Sequence, residues 1–313
     1  MKSSSATKVF YDLRPAKQIE RRMILDALQI LMASGFPIRD YQYTGMGSIY
    51  FVDFILFHKL LGIRRMLSAE MDTTIEDRVT FNKPYKDVEV KMCQVGDVIP
   101  DLDPDLKHIV WLDYDSRLSR SIREDVESAA YRLSPGSILL VTVNATPPPR
   151  PQGTPEESFA FLQEQVGDYF EPNWTPSDFG RSQLPYVNAH LLLKIIRSGV
   201  APRPAVEFFP LFQFSYSDGT PMVTIGGMIG TGVEKRKLDA CDFSGAAYIR
   251  RSHSVDLFEI HVPRLTRRER QVLDAGMLAD ENWTPREFKL DPEDLAAYRQ
   301  IYRYYPAFGE LLV

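Results

Sequence analysis

Cysteine is nearly absent: the 313 residues contain two, Cys93 and Cys241, with no CxxC pair and no histidine at metal-ligand spacing. Neither a disulfide scaffold nor a structural metal site is expected, and a buried core in a reducing, cytoplasmic compartment is the expectation that fits best. Long hydrophobic runs are missing as well: nothing approaches the roughly 18 apolar residues of a membrane span, and no membrane partner is expected. The polar start, Met1 to Lys8, has no apolar h-region, so no secretory signal is expected. Nor is there an excess of basic charge, since 37 Lys and Arg stand against 42 Asp and Glu, a formal net charge of −5. Bulk electrostatic coating of nucleic acid is therefore not favoured, although a local basic groove stays open as a reading.

What is present is an ordinary globular composition, 44% hydrophobic and 25% charged, in a chain long enough for one large α/β domain with appendages. Residues 15–34 read as a helix. Ile19, Met23, Ala27, Leu28 and Leu31 recur at helical spacing, and Lys17, Glu20, Arg21 and Gln29 are available for the outer face. Pro15 suits the first turn, and Gly35 with Pro37 stops the helix.

From Tyr41 strands and helices alternate. Strands are expected at 41–44, 65–69, 88–94, 108–112 and 137–143, with helices at 49–61, 72–81 and 117–133. The strands are almost continuously apolar, as expected of a parallel sheet covered on both faces. The proline-rich stretch 147–155 reads as a stiff connector within the same domain, and a helix is expected around 189–198. Two strands, 205–216 and 221–229, flank Ser217-Asp218-Gly219-Thr220, whose Asp-Gly pair signals a tight hairpin. Helices at 266–278 and 292–304 close the chain, the first with a Thr266/Glu269 capping box. The expected fold is α/β: a Rossmann-like doubly wound sheet of seven strands, ending in an antiparallel hairpin and flanked by N- and C-terminal helices. Its expected divisions are a helical segment at 1–35, the α/β domain at 36–262 and a helical appendage at 263–313.

The residues that carry chemistry stand at expected strand ends. Thr44-Gly45-Met46-Gly47 follows the first strand, where glycines let backbone approach a nucleotide-type ligand, although Tyr50 replaces the third glycine of GxGxxG. Glu70 ends the second strand, 25 residues after Gly45 (70 − 45), where an acid can accept hydrogen bonds from ribose hydroxyls; Asp72 is the rival. Asp97 follows the third strand and can either reach an adenine amino group or cap a turn. Asp113-Tyr114-Asp115 follows the fourth. Asp113 can hold a cofactor amino group, and Tyr114 or Asp115 can orient or deprotonate a nucleophile, with helix capping as the other reading of Asp115. Asn144 ends the fifth strand, and His58 is expected to pack or to lie at the surface, with a base for a hydroxyl acceptor as its other reading. The aromatic run Phe208 to Tyr216 reads as a central strand. The basic residues Arg250, Arg251, Arg264, Arg267, Arg268 and Arg270 read as solvated faces, with a phosphate-bearing substrate as the minority reading.

These residues resemble a class I S-adenosylmethionine (SAM) methyltransferase, and among such enzymes a bacterial O-methyltransferase family of unassigned substrate. The segments that carry the resemblance are Leu13-Arg14-Pro15-Ala16-Lys17 with Glu20-Arg21, Thr44 to Ser48 with Phe51 and Asp53, Arg78 with Phe81-Asn82, and Trp111 to Asp115. The resemblance implies SAM as cofactor, held by Thr44, Gly45, Met46, Gly47 and Glu70, with Asp97 near the adenine and Asp113 near the methionine end. It also implies a reversed last strand, which matches the hairpin, and methyl transfer to an unidentified acceptor, with Asp115 and Tyr114 as the catalytic residues. Tyr43-Thr44 stands where the family usually has an acid before the glycine turn, so a non-catalytic SAM- or nucleotide-binding sensor or partner subunit is the second expectation. The third, an NAD-dependent oxidoreductase, requires a sixth parallel strand in place of the hairpin.

Overall fold

The computed structural model describes residues 14–148, 153–277 and 283–306. Ten α-helices and eight strands are described: α1 (Pro15–Ala33), β1 (Gln42–Gly45), α2 (Val52–Leu61), β2 (Arg65–Ala69), α3 (Glu76–Asn82), β3 (Val88–Lys91), α4 (Val95–Val98), β4 (His108–Arg117), α5 (Arg120–Arg132), β5 (Ser137–Asn144), α6 (Pro155–Val166), α7 (Leu184–Val200), β6 (Glu207–Ser217), β7 (Pro221–Gly230), α8 (Gly232–Asp239), β8 (Phe258–Ile260), α9 (Arg267–Gly276) and α10 (Pro292–Ile301). They form one sheet in the order β3-β2-β1-β4-β5-β7-β6-β8. The first five strands are mutually parallel. β7 runs antiparallel to both β5 and β6, so the expected hairpin replaces the parallel sixth strand that the oxidoreductase alternative required. All seven expected strands are present, and β8 adds an eighth, parallel to β6.

The sheet is covered on both faces because its strands are apolar on both. One face packs Tyr43, Trp111 and Leu140 under Met23, Phe54 and Phe57 from α1 and α2. The other packs Val110, Leu112 and Val141 under Ile122, Val126, Leu192 and Ile196 from α5 and α7. A small satellite core, Leu273, Leu295 and Tyr298, joins α9 to α10.

Several boundaries move. α2 begins at Val52, not residue 49, because Ser48 (φ 50) and Phe51 (φ 49) take left-handed backbone. β4 runs on to Arg117, and α6 and α8 are additional helices. Thr266 and Glu269 form the expected capping box of α9; the expected end of that helix at residue 278, like part of the 147–155 connector, lies outside the described residues.

The largest departure is the outer face of α1. Lys17 and Glu20 are fully buried and Arg21 nearly so, whereas Gln29 is exposed as expected. β6 and the C-terminal segment cover the far side of the helix: Asp26 accepts hydrogen bonds from Tyr248 (2.9 Å) and Tyr304 (2.7 Å), and Arg22 donates to the Tyr304 and Tyr305 carbonyls.

The N-terminus of α1 has no cap of its own. Asp218, at the tip of the β6–β7 hairpin, supplies one: its two oxygens each accept a hydrogen bond of 3.0 Å, from the backbone N–H groups of Ala16 and Lys17. The Asp218→Ala protein is expected to lose about 1–2 kcal/mol in a denaturant titration, as other removed caps do. Asp218→Asn, which keeps an acceptor, should retain most of it.

Candidate active site

Strand order reverses between β1 and β4, and in an open α/β sheet ligands bind in the crevice outside the carboxyl ends at such a point. The glycine turn leaves β1 there. Neither Gly45 nor Gly47 has left-handed backbone; their need for glycine is steric. A β-carbon on Gly45 would lie 2.5 Å from the Tyr43 hydroxyl, and one on Gly47 would lie 2.6 Å from the Phe51 ring and 2.7 Å from Ser68 Oγ. Gly47 N–H donates to Ser68 Oγ at 3.0 Å, which ties the turn to β2. Beside it, the buried hydroxyls of Thr44 and Ser48 have no hydrogen-bond partner among the described residues. Met46 packs toward the α5 face.

Glu70 follows β2, and its carboxylate accepts the Asp72 N–H at 2.9 Å. Burial raises its pKa, and the Asp72 and Asp115 carboxylates push the same way against the N–H bonds of residues 72 and 71. Glu70 and Asp115 therefore act on the same region from adjacent parts of the edge. Asp72 is otherwise spent: its Oδ1 accepts from Thr74 N (3.0 Å) and Thr74 Oγ1 (2.5 Å). Asp97 is exposed and completes the capping box of α4, one oxygen accepting Gln94 N–H at 3.2 Å.

Asp113 and Tyr114 leave β4 on opposite faces. Asp113 turns toward α1, where Lys17 Nζ donates to its Oδ1 at 2.8 Å. The same ammonium lies 2.8 Å from Glu20 Oε2 and 4.4 Å from the centre of the Trp111 ring. Behind it, Thr224 donates to the other Glu20 oxygen, Thr142 and Thr224 share a hydrogen bond of 2.8 Å, and Trp111 Nε1 donates to Thr142 at 3.0 Å. Arg21 pairs with Asp53 of α2 at 2.5 Å. Burial alone would raise the Asp113 pKa, but Lys17, with Arg21 and Arg14, outweighs it and holds the carboxyl below its ordinary value. Glu20 goes the other way, because burial outweighs its contact with Lys17. Sequence reasoning missed this cluster, since every partner of Lys17, Glu20 and Arg21 outside α1 is remote in the chain.

Tyr114 packs with the opposite core, and its hydroxyl donates to Asp125 of α5 at 2.7 Å. Burial, then that carboxylate, pushes the phenol well above its ordinary value. In this geometry the phenol's proton is directed to Asp125. Asp115 is exposed at the edge, its carbonyl accepting Asn144 Nδ2 at 3.2 Å. Asn144 otherwise makes a turn, accepting from Thr146 N and Oγ1. His58 packs as expected, with Nδ1 2.8 Å from the Ile63 carbonyl and its ring 4.0 Å from that of Tyr85. Among the described residues no group of three or more His, Cys, Asp or Glu is placed to hold a metal, and no helix is long and apolar enough to cross a membrane.

Solved structures with a similar arrangement include Trm1 from Pyrococcus horikoshii in complex with S-adenosyl-L-methionine, at 13% identity and a TM-score of 0.49 over 77% of this chain. The match spans 61% of the Trm1 chain, less than two thirds of its length. An O-methyltransferase from Klebsiella pneumoniae matches at 12% identity and a TM-score of 0.41, over 71% of this chain and 84% of that one. TomG, an O-methyltransferase from Streptomyces achromogenes, matches at 15% identity and 0.37, over 73% and 92%. No curated protein matches the chain. A family model described as "Putative O-methyltransferase" matches residues 9–313, almost the entire sequence, and the protein belongs to that family.

Proposed function

We propose that the protein is a SAM-dependent methyltransferase that binds its cofactor across the carboxyl ends of β3, β2, β1 and β4 and methylates an oxygen of an unidentified acceptor. The observation that supports this most is the ordered series along four adjacent strands: Asp97 in α4 beyond β3, Glu70 directly after β2, the Gly45–Gly47 turn leaving β1, and Asp113 within β4. The residues fit the ligand. Two buried hydroxyls, on Thr44 and Ser48, have no partner among the described residues, and the acids of this edge are of the charge that a molecule with a sulfonium and an ammonium would meet.

In this reading Glu70 accepts the ribose hydroxyls, Asp97 offers its second oxygen to the adenine amino group, and Thr44, Met46 and the glycine turn line the crevice. Asp113, whose side chain keeps 22% exposure, receives the ammonium. When bound, SAM supplies a methyl group on a positively charged sulfur. The protein aligns an acceptor oxygen with it and excludes water, and Asp115 takes the acceptor's proton. Tyr114 braces the strand end through Asp125.

Calorimetric titration with SAM, run beside an assay for S-adenosylhomocysteine, tests the reading. Asp113→Asn is expected to weaken binding about tenfold or more, the scale of a hydrogen bond to a charged group, and Glu70→Gln somewhat less. Equal affinity in all three proteins would place the site elsewhere. Tight binding without turnover on any acceptor would favour the sensor reading, which the replacement of the pre-glycine acid by Tyr43-Thr44 still supports.

A further inference from the structure

A lysine with almost no exposure is costly unless every charge around it is matched. Lys17 is such a residue, and its ammonium bridges two carboxylates on different elements, Glu20 on its own helix and Asp113 within β4. The two acids are not equivalent. Glu20 has no exposure and is anchored from behind by Thr224, whereas Asp113 keeps 22% side-chain exposure at the carboxyl edge. Lys17 is itself fixed at its backbone, where its N–H meets Asp218 of the hairpin. A chain of fixed contacts thus runs from the hairpin tip through α1 to one oxygen of the acid nearest the crevice.

We infer that Lys17 is a positioning residue for methyl transfer: it holds Asp113 in the orientation and charge state that receives the cofactor's ammonium, with Glu20 as its anchor. This rests on the reading of the strand edge as a SAM site. The charged and titratable groups that face Asp113 are Lys17, Glu20, Arg21 and Arg14 from α1 and its N-terminal flank, Tyr43 from β1 and Tyr216 from β6, with Asp53 of α2 behind Arg21. Removing the ammonium leaves Glu20, fully buried, and Asp113, partly buried, without the charge that bridges them, although Arg21 and Arg14 still face Asp113. Such a pair shares a proton near neutrality, because burial and mutual repulsion both disfavour the doubly charged form. An Asp113 that is protonated or turned toward Glu20 cannot bind a cation.

The test compares the wild type with Lys17→Met, close in length but uncharged, and with the double variant Lys17→Met/Glu20→Gln. SAM affinity is measured at about pH 6.5 and about pH 9, spanning the range into which a coupled buried acid pair is displaced. Lys17→Met should lose about tenfold or more at the lower pH and recover much of it at the higher, as expected when binding requires one displaced proton to leave. The double variant, with no second acid, should follow the wild type's own pH dependence, which includes the loss of the cofactor's ammonium proton at about pH 8. Loss of affinity equal at both pH values, or affinity unchanged throughout, would overturn the inference.

Melting curves without SAM separate this inference from the reading it rests on. In Lys17→Met the acids have raised folded-state pKa values, so the stability they lend is present at low pH and lost as pH rises through those values. Its melting midpoint, relative to wild type, should therefore fall between about pH 5 and pH 8, and the double variant's should not. A midpoint that tracks the wild type overturns the role of Lys17 whatever SAM does. Failure of the wild type to bind SAM strikes the proposed function instead.

Discussion

Gly47→Ala is expected to lower SAM affinity by about two orders of magnitude while costing the fold about 1–3 kcal/mol, as overpacking of a tight site does. The added methyl would lie 2.6 Å from the ring of Phe51, a residue with no exposure and already in left-handed backbone, so the ring has nowhere to retreat. It would also lie 2.7 Å from Ser68 Oγ, the acceptor of the Gly47 N–H. Relief requires the turn to lift off β2, and the turn is where the backbone would meet the cofactor. Calorimetry and a denaturant titration on the same sample measure both effects. Gly180→Ala is the control: nothing lies within 4 Å of its added methyl, and both quantities should stay at wild-type values. A Gly47→Ala protein that binds SAM normally would show that the turn does not contact it.

The largest stability effect belongs to the Arg21–Asp53 pair. Both side chains are below a tenth exposed and meet at 2.5 Å. Truncating either to alanine strands its partner's charge in the core, a loss of about 3–5 kcal/mol. For a domain of this size the melting midpoint should drop by roughly 10 °C. Replacing both together, as Arg21→Met/Asp53→Leu, should restore most of that loss, because a well-packed apolar pair does not carry the desolvation cost of an ion pair. If each single variant melts within a degree or two of wild type, the pair is solvated and water reaches the inner side of α1.

Sequence and structure agree where local patterns suffice. The five parallel strands were legible as short apolar runs between helical segments, and the Asp218-Gly219 turn announced the hairpin that distinguishes this sheet from a nicotinamide-binding one. α1 was legible as a helix but misleading as a surface. The stripe Ile19, Met23, Ala27, Leu28 and Leu31 left Lys17, Glu20 and Arg21 to be assigned to solvent. At 100° per residue Lys17 and Glu20 fall within the arc spanned by Ile19, Leu31, Ile24 and Leu28, so the helical pattern itself places them on the buried side. That signal was available. The partners of those charges were not, since Asp113 and Thr224 lie 96 and 204 residues away from the groups they bind. β8 escaped because its three residues, although they alternate buried, exposed, buried, are too short a run to stand out as a strand. Among the strand-end residues, the acids were found by position alone. What each carboxylate already holds (a cap for Asp97, an N–H for Glu70, an ammonium for Asp113) is a matter of geometry that spacing does not encode.

The clasp of Asp218 on the first turn of α1 also bears on synthesis. A ribosome delivers the N-terminal segment first, and domains generally fold as units when enough chain has emerged. Here the first helix waits for a carboxylate about 200 residues behind it and for Thr224 just beyond, so a nascent chain that has released the first five strands still lacks the clasp on Lys17. The seat of α1 is therefore completed by nearly the last part of the sheet to be made. A stalled or truncated product would carry α1, the glycine turn and the acids of the sheet edge without the cap on the helix or the hydroxyl that anchors Glu20.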